Sequence, residues 1–63
     1  MRVLLGNRIY FCTVATFSEN LILLTIGKEV YTVDMVSTDS ARTCHNQLLK
    51  KGYFDFSFYE YSN

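Results

Sequence analysis

Between Ser37 and Gly52 the chain changes its hydrophobic period, and this switch constrains the fold more than any other feature. Ser37 or Thr38 supplies a hydroxyl to cap a helix, and Asp39 puts negative charge in the first turn. Lys50 and Lys51 put positive charge in the last turn, and Gly52 offers a left-handed stop. Ala41, Cys44, His45, Leu48 and Leu49 recur at helical spacing on one face, with Arg42, Asn46 and Lys50 off it. The spacing predicts an amphipathic helix over residues 39–51, its apolar face laid on a sheet.

The sheet comes from the residues before the helix. Polar clusters at Gly6-Asn7, Ser18-Glu19-Asn20 and Gly27-Lys28 separate apolar runs and suit hairpin turns. They mark strands over residues 1–5, 8–17, 21–26 and 29–36, rich in Val, Ile, Leu, Thr, Tyr and Phe. Leu21 to Leu24 is apolar on both faces and reads as a central strand, while Tyr31, Val33 and Met35 share one face and point to a core. The expected class is α+β: an antiparallel four-stranded β-meander with one C-terminal helix, in a single domain over residues 1–63.

After the helix, residues 53–61 hold six of the ten aromatics and two acids with no base. Phe54, Phe56 and Phe58 alternate with Asp55 and Ser57, as in a short fifth strand with one buried edge; the alternative is an extended tail laid over the helix. The phenylalanines read as core. Asp55, Tyr59, Glu60 and Tyr61 read as a contact surface, because Tyr brings large area at small entropic cost and carboxylates pair with arginine forks.

Charge narrows the partner. Six basic residues balance six acidic ones, so the basic surplus behind non-specific nucleic-acid binding is missing. Aromatics interleaved with Asp55 and Glu60 also argue against base stacking, which uses basic grooves. A zero net charge weakens repulsion between copies and leaves a homodimer open. No run approaches the ~18 apolar residues of a membrane helix. Without a signal-peptide pattern, the expected location is the cytoplasm, where Cys12 and Cys44 stay free thiols.

Cys44-His45, with Cys12 elsewhere, is the one group that points to zinc. Adjacent helical residues diverge by about 100°, and a tetrahedral site needs further ligands such as Cys12 and Asp34, or a partner chain. A buried thiol beside a half-covered histidine is the simpler reading, and no metal site is assigned. The same residues make a poor nucleophile and base, and a 63-residue chain has little wall for a pocket of ~300 Å³, so the expectation is a protein that is not an enzyme.

A small, proline-free chain with a β-meander, one helix and an acidic aromatic end resembles the accessory proteins of phages and mobile elements. Among these it is similar in architecture, over its whole length, to the small anti-CRISPR proteins that inhibit the RNA-guided nuclease of type II systems. That resemblance implies stoichiometric inhibition by protein binding, with a CRISPR nuclease bearing a basic nucleic-acid groove as the host partner. Some inhibitors of this kind hold zinc, which keeps Cys12, Cys44 and His45 in view. The alternative is a metal-stabilised or dimeric structural module of a larger assembly.

Overall fold

The long strand expected over residues 8–17 is broken, and the break organises the molecule. In the computed structural model, which describes residues 1–63, β1 (Arg2–Leu5) pairs antiparallel with β2 (Arg8–Phe11), and β3 (Val14–Ser18) starts after a bend at Cys12 and Thr13. The Thr13 amide donates to the Thr25 carbonyl at 2.9 Å, while Val14 is also opposite Thr25. Two residues facing one is a β-bulge, which bends the strand and strengthens its twist. The Cys12 Sγ–H donates to the Val14 carbonyl at 3.1 Å across the bend.

The bulge hands the chain from one sheet to another. β3, β4 (Leu21–Ile26), β5 (Glu29–Asp34) and the two-residue β7 (Tyr61–Ser62) form an antiparallel sheet in the order β3-β4-β5-β7. β1 lies at the centre of a three-stranded sheet of order β2-β1-β6, in which β6 (Tyr53–Asp55) runs parallel to β1. The class is thus α+β with a four-stranded antiparallel sheet. The first four strands of the sequence are divided between two sheets instead of forming one meander.

The helix α1 spans Thr38–Lys51. Ser37 is its N-cap, its hydroxyl accepting from the Ser40 amide at 3.1 Å. Gly52 ends it at φ 74°, donating its N–H to the Leu48 carbonyl. The same glycine accepts from the Arg2 amide at 2.9 Å, so the stop of the helix also starts the parallel pairing of β6 with β1. Ala41, Cys44 and Leu48 are buried against the sheets, as their spacing requires. Leu49 is 54% exposed: it stands one residue past Leu48 around the helix and overhangs the packed stripe.

The core lies between the two sheets and the helix. Val3 and Leu5, Ile22 and Leu24, Val33 and Phe56 are sealed from solvent, and Tyr31 and Met35 sit on the same side as Val33. No buried side-chain nitrogen or oxygen lacks a partner. No helix is long and apolar enough to cross a membrane.

Candidate functional site

The alternation expected of the aromatic segment stops after Asp55. There the Asp55 Oδ1 accepts from the Ser57 amide at 2.8 Å, a local turn that competes with strand pairing, and the Ser57 hydroxyl, together with that amide, holds the carboxyl below its usual range. The Tyr59 amide then donates to the Phe56 carbonyl at 3.0 Å. Phe54 is half-buried and Phe56 fully buried, their rings 4.7 Å apart, but Phe58 is thrown out to 93% exposure. The expectation that Phe58 joins the core is therefore corrected.

The chain next returns to the sheet, where the Asp34 amide donates to the Glu60 carbonyl at 3.0 Å. This bond sets the start of α1 beside the aromatic loop. Val36, just past β5, is 89% exposed. Between the helix and the loop lies a groove of about 340 Å³ with Met35, Cys44, Phe54 and Tyr59 as its apolar floor and Asp39 and Gln47 on its polar wall. Tyr59 is half-buried, its ring edge-on to Phe56 at 6.2 Å.

Four acids of the chain's six belong to these segments: Asp34, Asp39, Asp55 and Glu60, all exposed. Asp39 accepts from Arg42 at 2.8 Å. Both of those side chains are largely in solvent, so the pair contributes little and leaves the carboxylate open to competition. Of the four, Asp39 lines the groove, while Asp34 and Glu60 lie opposite each other where β5 meets the start of β7.

The residues expected to bind a partner separate in space. Tyr59 lines the groove, Glu60 is exposed where the loop meets β5, and Asp55 closes β6. Tyr61 turns elsewhere: paired with Val33, it stacks 6.2 Å from Tyr31, which stacks 5.9 Å from Tyr10. Its hydroxyl lies over Gly6, where a Cβ would come within 3.2 Å of it, and φ at Gly6 is 63°. Sequence reasoning overlooked Val36 and assigned Phe58 to the core; the Asp55-x-Ser57 turn signal was the available clue to Phe58.

The residues weighed for zinc are also placed apart. His45 directs Nε2 at the Ala15 carbonyl, 2.8 Å away, and packs its ring 5.2 Å from Phe17. A carbonyl only accepts, so Nε2 carries the proton and is closed to a metal in this arrangement. Cys12 is sealed at the strand bend, and Cys44 is 3% exposed with its thiol pushed up to about 12 by burial. No three His, Cys, Asp or Glu side chains converge.

No family model matches the chain, and neither a curated protein nor a solved structure matches it.

Proposed function

We propose that this chain is a phage or mobile-element accessory protein that inhibits a host defence protein stoichiometrically, in the manner of an anti-CRISPR protein, by docking on a basic surface. The observation that carries the reading is an aromatic groove with Asp39 on its wall, flanked in sequence by Phe58, 93% exposed and next to Tyr59, and by Val36, 89% exposed and next to Met35. Large apolar side chains held this far into water are the usual anchors of an interface, and carboxylates around them select lysine and arginine on the partner. A groove that normally holds nucleic acid is a surface of that chemistry. Tyr59 belongs to the contact directly, with Glu60 and Asp55 at its margin and Tyr61 supporting the loop through β7.

The test is inhibition at fixed stoichiometry. A guide-loaded type II nuclease mixed with one to a few equivalents of the chain should lose DNA cleavage, and the Val36→Ser/Phe58→Ser double variant should restore it. Full cleavage at a large excess of correctly folded chain counts against the nuclease as target.

A further inference from the structure

The four-stranded sheet has a second face, turned away from the helix, and the middle of that face is free of charge. Val14, Thr25 and Val30 are directly opposite one another across β3, β4 and β5, and the next row runs Thr16, Leu23, Thr32 and Ser62. The Thr32 and Ser62 hydroxyls bond to each other at 2.9 Å, so this row is partly satisfied without water. Val14 is 53% and Val30 51% exposed. Charge on this face is confined to one corner, where Asp34 is opposite Leu21 and, in line with the β5–β7 register, beside Glu60.

A solvated antiparallel sheet face normally alternates in charged and polar residues. This one offers valine, leucine and threonine around Leu23. We propose that a second copy of the chain packs on it, sheet to sheet, giving a twofold dimer with Leu23 near the axis. Two arguments single out a second copy. A charged partner would lose hydration against the uncharged middle of this face, whereas an identical face brings only hydroxyls and apolar groups there, and the zero net charge adds no net repulsion between copies. The area also suffices: four strands about 4.8 Å apart and five residues about 3.4 Å each cover roughly 300 Å² per copy in projection. With side-chain relief, two copies bury on the order of 1,000 Å², the lower bound for a specific interface. The dimer is therefore weak and concentration-dependent, and it leaves the groove and Phe58 free.

Sedimentation of the full chain from about 1 µM to 1 mM tests this, a range that spans weak interfaces. The wild type should shift from the mass of one chain to that of two. Leu23→Lys and, separately, Val30→Glu should each raise the dimer dissociation constant at least about tenfold while circular dichroism shows the fold intact. Phe58→Ser should leave it unchanged. A wild type that stays monomeric at the highest concentration overturns the proposal. So does a dimer that survives both charged variants, or one lost with Phe58→Ser. If Leu23→Lys abolishes capture of another protein by a monomeric wild type, the face belongs to that partner and the dimer is likewise refuted.

Discussion

His45 and Ala15 join the helix to the sheet by the one side-chain hydrogen bond between them, Nε2–H to carbonyl at 2.8 Å. The bond covers an edge carbonyl of β3 that no strand pairs, while the ring packs on Phe17. Ring and carbonyl come from residues thirty positions apart, so the contact exists only once helix and sheet have docked.

Replacing His45 with Ala should therefore cost about 1–3 kcal/mol, from an unpaired half-buried carbonyl and lost ring packing. Chemical denaturation measures it. His45→Gln, whose amide can donate to the same carbonyl, should recover part of the loss; equal destabilisation by both would remove the hydrogen bond from the account.

Cys44 makes stability depend on pH at the alkaline end. Its thiol is raised by burial from an ordinary 9.0 to about 12, so between those values the unfolded chain binds fewer protons than the folded one. Stability is unaffected by this group below pH 9 and falls as pH rises toward 12, by at most about 1.4 kcal/mol per pH unit. Denaturation midpoints at pH 8, 9.5 and 10.5 should show a smaller decline in Cys44→Ala than in the wild type.

Phe56 and Phe58 are two residues apart and should behave as opposites. Phe56→Ala empties the centre of the core and should cost about 3–5 kcal/mol, enough to unfold a domain this small. Phe58→Ser removes a ring that is 93% exposed and should change stability by less than about 0.5 kcal/mol. Thermal melts of the two variants decide the point.

The caps of α1 give a further pair. Ser37→Ala should cost about 1 kcal/mol by orphaning the Ser40 amide, and Gly52→Ala about 1 kcal/mol by forcing a side chain to φ 74°. Loss of helical ellipticity on heating should begin at lower temperature in both.

The helix was legible because its signals are local: cap, charges, stop and apolar period all lie within sixteen residues. Gly27-Lys28 and Gly6-Asn7 likewise announced their hairpins, with Gly27 and Gly6 both at positive φ. The division into two sheets was not legible, because the bend at Cys12 and the bulge at Thr13 and Val14 use neither glycine nor proline. The parallel pairing of β6 with β1 joins residues some fifty apart, beyond any periodicity. At the site, Asp55 and Glu60 are exposed and Tyr59 is half-buried in the groove. Phe58 was misassigned because strand alternation was extended through a turn made by Asp55 and Ser57. Val36 carries no signal of its own, since an apolar residue before a helix cap is as often packed as bare.

The central claim is that the end bearing Val36, Phe58 and Tyr59 holds a partner. The most direct measurement is side-by-side capture from a bacterial host lysate at micromolar concentration, with tagged wild type, Val36→Ser/Phe58→Ser and Tyr59→Ala/Tyr61→Ala. The account predicts a discrete protein retained by the wild type at near-equal stoichiometry, released by raised salt, and lost or weakened at least about tenfold in both folded variants. No retained protein, or one held equally by all three, contradicts it.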